Sequence, residues 1–403
     1  LEGREDDEVV GARIARRFVV GRLVRMLVDD DLAVAPERMA DQVRRARAEL
    51  LGGDAPTDER DQDEVVRCQR VLDALETGAH DTLAGELVEL GDVVEAQGHT
   101  HGALELYRCA NAIAVGVGAA RPAVDAARLA GRLLRRQADW EGARRWFTSS
   151  LDVAETAGMA DIAVRALVGL GGITRELGNL PGARETFRKA LAVAETSDDR
   201  EVVGLAHHAL LGLEHQAGDL ERALQHGWLA LVSYKDEVSR TRCMAGLGGA
   251  LMAHGDLAAA EDAWTLVLNT SRDKYYLVYA HDALGHLAAL QGDATRFEEH
   301  SSRCDALGWE SALPSAQAEI LLYRGLSYRA LGREELARQW LQRALRFAEQ
   351  HQYHRVLFRA DEALKLAVRK DVAPASPPPR PAAPREVREG LRAMRQELAG
   401  VGA

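Results

Sequence analysis

Residues 170 to 190 read LGGITRELGNLPGARETFRKA. A Leu170-Gly171 pair is followed by Gly178, then by Ala183, Phe187 and Ala190. The same punctuation returns along most of the chain. An anchor glycine with an alanine five residues later occurs at Gly98/Ala103, Gly178/Ala183, Gly218/Ala223, Gly255/Ala260 and Gly332/Ala337, with weaker copies at Ala138/Ala143 and Gly292/Phe297. The anchors lie 40, 40, 40, 37, 37 and 40 residues apart. Seven copies at a near-constant period define a repeat array, whose units bury their apolar faces by stacking on neighbours.

The residues of one copy have physical roles. Seven positions before the anchor stands a second small residue, Gly91, Gly131, Gly171, Gly248, Gly285 or Gly325, with Leu211 the exception. Glycine inside a helix is unfavourable by about 1 kcal/mol relative to alanine, so its return needs a packing reason, and close approach of two helix axes supplies one. The anchor glycine ends the first helix in the left-handed conformation. The alanine five residues on marks the closest contact of a second helix. A large residue follows on the same face at Tyr107, Phe147, Phe187, Trp264 and Leu341. Each copy therefore reads as a helix-turn-helix hairpin.

This pattern resembles the tetratricopeptide repeat family. The first copy supplies Leu87, Leu90-Gly91, Val94, Ala103 and Tyr107; the third supplies Leu167, Leu170-Gly171, Thr174, Ala183 and Phe187; the fifth supplies Met244, Leu247-Gly248, Leu251, Ala260 and Trp264. The resemblance covers residues 81 to 350, about two thirds of the chain. It departs from the family in a period above the usual one of about 34 residues, in having few prolines between repeats, and in Gly227 and Ser301 at aromatic positions. Longer units of this kind resemble those in the sensor arms of large bacterial transcription activators. The resemblance implies an all-α, right-handed superhelical α-solenoid of about seven hairpins, with the first helix of each lining a concave groove.

The flanks do not share the repeat. Residues 1–80 read as a small N-terminal helical bundle. Its first helix, Val9 to Val28, carries Ile14, Phe18, Val19, Leu23 and Leu27 with Arg13, Arg16, Arg17, Arg22 and Arg25. The acidic runs at both of its ends oppose an anionic membrane and favour a packed domain helix. Further helices are expected from Pro36 to Leu51 and from Asp61 to Thr77. After the array of 81–350, residues 351–370 read as a C-terminal cap helix and 371–385 as a stiff linker holding Pro374, Pro377, Pro378, Pro379, Pro381 and Pro384. Residues 386–403 form a short amphipathic tail helix with the stripe Val387, Leu391, Met394 and Leu398. A lone helix of this length needs a docking surface, in cis or by self-association. Leu1 in place of Met points to a processed or shortened chain.

Composition narrows the function. An aromatic content of only 5% fits an all-helical protein, and the net charge of −11 argues against non-specific nucleic-acid binding. No run of 18 apolar residues suggests a membrane span. Cys68, Cys109, Cys243 and Cys304 show no CxxC spacing and read as buried small hydrophobes in a reducing, cytoplasmic setting. No Walker A loop, HExxH or GxSxG motif is present, so neither an enzyme nor a cofactor is expected. His208 and His215 share a helical face, and His286 lies four residues from Asp282, but this spacing is too sparse to indicate a metal site.

The sharpest local signal is electrostatic. Arg128, Arg132 and Arg135 form a stripe beside the packing face of one first helix, with Arg136 adjacent; Arg165 and Arg175 extend it in the next copy and Arg242 continues its direction. Guanidinium forks suit carboxylates, so this concave-groove patch is read as the binding site for an acidic segment of a protein partner. Pairing with Asp92 and Glu95 of the preceding copy is the alternative. The chain thus reads as a scaffold or adaptor, or alternatively as a peptide- or small-molecule-sensing arm of a bacterial signalling or transcriptional regulator.

Overall fold

A computed structural model describes residues 7–29, 34–51, 59–312, 314–368 and 382–401. Its described residues are helical throughout their regular structure, with no strand. Three helices come first: α1 (Asp7–Asp29), α2 (Pro36–Leu51) and α3 (Glu59–Thr77). Seven hairpins follow: α4 (His80–Ala96) with α5 (Thr100–Val117), α6 (Ala120–Arg136) with α7 (Trp140–Thr156), α8 (Ala160–Glu176) with α9 (Leu180–Glu195), and α10 (Arg200–Ala217) with α11 (Leu220–Ser233). The last three are α12 (Glu237–His254) with α13 (Leu257–Thr270), α14 (Lys274–Leu290) with α15 (Ala294–Ala306), and α16 (Pro314–Ala330) with α17 (Glu334–Gln350). The helices α18 (His354–Val368) and α19 (Arg385–Val401) complete the chain. Two compact units divide it, residues 1–202 and 203–403.

The sequence punctuation has a direct structural cause. In five of the seven hairpins the large residue of the second helix lies over the glycine of the first. A Cβ built on Gly91 would stand 2.5 Å from Tyr107 Cε1, one on Gly131 3.1 Å from Phe147 Cγ, one on Gly248 2.8 Å from Trp264 Cε2 and one on Gly325 2.7 Å from Leu341 Cγ. A Cβ on Gly171 would overlap the Phe187 ring. The glycine makes room for a side chain, which refines the expected close approach of axes into a ring-over-backbone contact. The fourth hairpin inverts it: Leu211 stands on the first helix and Gly227 on the second, where an added Cβ would meet Leu247 Cδ1 of α12 at 2.7 Å and Leu211 Cδ1 at 3.3 Å. The bulk has changed helices, and the glycine has changed with it.

Hairpins four and six, which lack the aromatic, share another contact. His207 Nδ1 lies 3.0 Å from His226 Nδ1, and His281 Nδ1 lies 3.0 Å from His300 Nδ1. Each bond joins the two helices of its hairpin and requires at least one imidazole to keep a bare nitrogen. Burial, reinforced by the facing ring, pushes His207 and His281 down to about 4.

Turns follow one scheme. Gly178 takes φ +84°, and Asn179 N–H donates to Thr174 O at 3.1 Å to close α8. In the second hairpin Ala138 adopts this conformation at φ 60°. The next residue caps the second helix: Asp139, Asn179, Asp219, Asp256 and Asp293 each accept a backbone N–H three residues on.

In the first unit one hydrophobic core runs from α1 through the hairpins, and α1 contributes Val19, Val20, Leu23, Val24 and Leu27. Phe18, expected on the apolar stripe, is instead 68% exposed, because Val20 and Val24 occupy the inward face. Ile14, Arg13 and Arg16 lie outside the described side chains, and most of the proline segment lies outside the described residues. The helix expected from His351 starts at His354, since Gln352 at φ 58° ends α17 and breaks the path. Cys68, Cys243 and Cys304 are buried, while Cys109 is only half-buried.

Two outcomes are expected. Gly227→Phe destabilises by about 1–3 kcal/mol through overpacking, and adding Leu211→Gly recovers part of the loss, as a double-mutant cycle by chemical denaturation will show. The second concerns pH. The folded His207 and His281 pKa values lie below the unfolded value of about 6.5, so the unfolded chain binds more protons between that pH and about 4. Their contribution is intact above about pH 6.5 and is lost on acidification, and His207→Gln/His281→Gln flattens the slope of denaturation midpoint against pH.

Candidate functional site

In the first unit, the first helices α4, α6 and α8 lie side by side, with α6 touching both neighbours. Arginines project from α6 in both directions. Toward α4, Arg132 Nη2 donates to Glu95 Oε2 at 2.6 Å and Arg136 Nη1 to Glu95 Oε1 at 2.9 Å. The Glu95 side chain is only 9% exposed. Toward α8, Arg135 lays its guanidinium across Gly172, where a Cβ would stand 3.0 Å from Nη1. Arg121 reaches Asp161 of α8 at 3.1 Å.

The ring-over-glycine contact feeds into this network. The Tyr107 ring covers Gly91, and its hydroxyl donates to Asp92 Oδ1 at 2.6 Å while lying 3.1 Å from Glu95 Oε2. Burial and the two carboxylates push the phenol pKa upward. A packing residue thereby orients the acids that hold Arg132 and Arg136.

The other arginines are differently placed. Arg128 is 3.6 Å from Asp125, a turn away on its own helix. Among the carboxylates of the described residues Arg175 touches only its neighbour Glu176, at 3.1 Å. Arg135 and Arg165 have no carboxylate within ion-pair distance among the described residues. The Nε atoms of Arg128, Arg132, Arg135 and Arg175 are all buried without a hydrogen-bond partner. Burial lowers the pKa of Arg128 and Arg135; Arg165 adds like-charge repulsion to the first and Arg175 to the second. The site is a cationic surface whose head groups are partly desolvated and incompletely paired. Buried donors of this kind are rare in folded proteins, and a guanidinium fork suits a carboxylate.

Of the sequence-predicted residues, Arg128, Arg132, Arg135, Arg136, Arg165 and Arg175 stand on α6 and α8 of this unit. Arg242 belongs to the second unit, where its Nε donates to Tyr276 OH at 3.3 Å. The tail stripe also lies there. Val387 and Leu391 are buried in a core with residues of α11 and α13, Met394 packs against it, and Leu398 is exposed. Gly390 faces the Trp228 ring so closely that a Cβ would overlap it. Arg395 Nη1 donates to Asp262 Oδ1 at 2.6 Å, and Ala383 N–H donates to Asp256 Oδ2 at 3.2 Å. Asp262 lies on α13 and Asp256 caps it.

The second unit also gathers His215, Asp282 and His286, which the sequence singled out, around one cavity with Tyr279, Tyr323 and Arg359, which it did not. Among the described residues, no three His, Cys, Asp or Glu side chains are placed to hold a metal ion. No described helix is long and apolar enough to cross a membrane.

No protein-family model matches the chain. No curated protein matches it either. Solved structures do. The Rap conjugation gene regulator of plasmid pLS20, solved with a peptide, is 16% identical with a TM-score of 0.53, covering 89% of this chain and 98% of that one. The apo form of RapI is 12% identical with a TM-score of 0.51, covering 87% and 98%. A Rap protein complexed with Competence and Sporulation Factor is 13% identical with a TM-score of 0.50, covering 90% and 100%. At these identities the likeness is one of fold: an all-α array of tetratricopeptide-type helical hairpins.

The two groups of arginines are expected to separate by stability. Arg132→Ala strips a charged hydrogen bond from the enclosed Glu95 and lowers stability by about 1 kcal/mol. Arg135→Ala, with no carboxylate to abandon, stays within about 0.5 kcal/mol of the parent in urea denaturation.

Proposed function

We propose that this chain is a non-enzymatic recognition protein that binds an acidic segment of a protein partner across α6 and α8. The observation that carries this reading is the set of buried, unpartnered Nε atoms on Arg128, Arg135 and Arg175. Carboxylates arriving at these forks would form charge-assisted bonds in a partly desolvated setting, where such bonds are strongest. Arg128, Arg135, Arg165 and Arg175 make the contact. Arg132 and Arg136 are already engaged by Glu95 and act as its frame. The setting is read as the cytoplasm, in keeping with four scattered cysteines that show no CxxC spacing, three of them buried.

A second reading is a peptide-sensing arm of a signalling regulator. It is favoured by the likeness in fold to two Rap proteins solved as complexes, one with a peptide and one with Competence and Sporulation Factor. The tail helix is read as an intramolecular brace in either case, on the strength of the Arg395–Asp262 pair at 2.6 Å.

A fluorescent deca-glutamate peptide is the direct probe. Binding by anisotropy is expected to weaken about 100-fold in Arg135→Gln/Arg165→Gln, since each lost charged hydrogen bond is worth about 1.5–3 kcal/mol. Binding should also fall with added salt. Equal affinity of parent and variant, or no binding at low salt, would remove the acidic-segment reading.

A further inference from the structure

The second unit contains a space that the arginine patch does not explain. A cavity of about 380 Å³ lies among the first helices α10, α12, α14 and α16, the helix α18, and Trp264 of α13. One side is bare backbone, because α12 presents Gly246 and Gly249. A Cβ added at Gly249 would have one neighbour in reach, His215 Cε1 at 3.8 Å, so the volume beyond it is open. Met252, Trp264 and Leu290 give the cavity an apolar side.

The lining also holds one cation that has no carboxylate partner among the described residues. Arg355 is occupied by Glu319. Arg359 has no carboxylate within ion-pair distance among the described residues. Its Nη1 donates to Tyr323 OH at 3.3 Å, and its Cζ stands 5.1 Å from the Tyr323 ring centroid. That contact positions the guanidinium while leaving most of its donors unspent. Asp282 shares the lining, but burial pushes its carboxyl up to about 7 against the pull of Arg324, so near neutral pH it carries only about half of a full negative charge.

His286 adds an acceptor. Ser327 Oγ donates to Tyr323 O at 2.7 Å, so the 2.8 Å contact between His286 Nδ1 and Ser327 Oγ must use the imidazole Nδ1–H. Burial, with Arg359 nearby, lowers His286 to about 4, so the ring is neutral and its Nε2 keeps a lone pair. Arg359 and His286 are tied to the same Tyr323, with the His286 and Tyr323 ring centroids 5.0 Å apart.

We propose that this cavity binds a carboxylate carried on an aromatic or similarly apolar body beside an N–H donor, with Arg359 taking the carboxylate, His286 Nε2 accepting the N–H, and the apolar side around Trp264 holding the body. An N-acylated aromatic amino acid and the C-terminal residue of a peptide both have this chemistry. The volume is at the lower end of small-molecule pockets, enough for about one residue. The site is independent of the acidic-segment patch in the first unit.

Calorimetric titration of the full chain with N-acetyl-L-phenylalanine, and separately with N-acetyl-L-phenylalaninamide, tests it. The acid is expected to bind at least about 10-fold more tightly than the amide, a gap that Arg359→Gln closes. Gly249→Leu is the second variant: it replaces a helical glycine with a better helix former and fills the cavity, so the chain stays folded and loses binding. A decapeptide ending in phenylalanine that binds more tightly than the acid identifies a peptide terminus as the source; an equal or weaker one identifies the small acid. Equal affinity for acid and amide, undiminished binding in either variant, or no saturable binding of the acid up to about 10 mM overturns the proposal.

Discussion

The contact on which the structure depends is a large side chain of one helix laid over a glycine of its partner. Tyr107 on Gly91, Phe147 on Gly131, Phe187 on Gly171, Trp264 on Gly248 and Leu341 on Gly325 repeat it down the chain. Each glycine lacks the helix propensity that alanine would supply, and the apolar area covered by the ring outweighs that loss. Because the two helices of a hairpin interlock here, each hairpin presents fixed faces to its neighbours. The first helices are thereby aligned, and side chains a full repeat apart come together.

Much of this was legible because glycine spacing survives in a sequence without an alignment. The anchor glycines, the smaller residues seven positions earlier and the helix ends at Pro36, Leu51 and Thr77 all follow from local chemistry. What escaped was compensation. Leu211 and Gly227 each look like departures from the pattern, and only their contact shows that one departure corrects the other. The histidine bonds of hairpins four and six were hidden for a similar reason: His226 and His300 stand one position before the expected aromatic, and their partners are on another helix. The aspartates after the anchors were a readable signal, since Asp or Asn before an apolar run is an N-cap.

The arginine patch was half legible. Spacing along α6 located Arg128, Arg132 and Arg135 on one face, but a spacing argument assigns all three the same role. The structure divides them, with Arg132 bound to Glu95 across helices and Arg135 left over a glycine of α8. Arg242, which continues the direction of the patch in the sequence, stands in the second unit, where it contacts Tyr276. The cavity of that unit was least accessible to sequence reasoning. Its polar side chains come from α10, α14, α16 and α18, and Tyr323 and Arg359 follow no motif that would mark them.

The recognition reading rests on arginine Nε–H groups that are buried and unsatisfied in the unbound chain. Selective 15Nε labelling of arginine, followed by heteronuclear NMR during titration with an acidic peptide, observes those groups one by one. The resonances of Arg128, Arg135 and Arg175 should shift together and saturate, while that of Arg136, whose guanidinium is held by Glu95, stays nearly still. Uniform small shifts across all arginines, or movement at Arg136 without movement at Arg135, would contradict recognition through these forks.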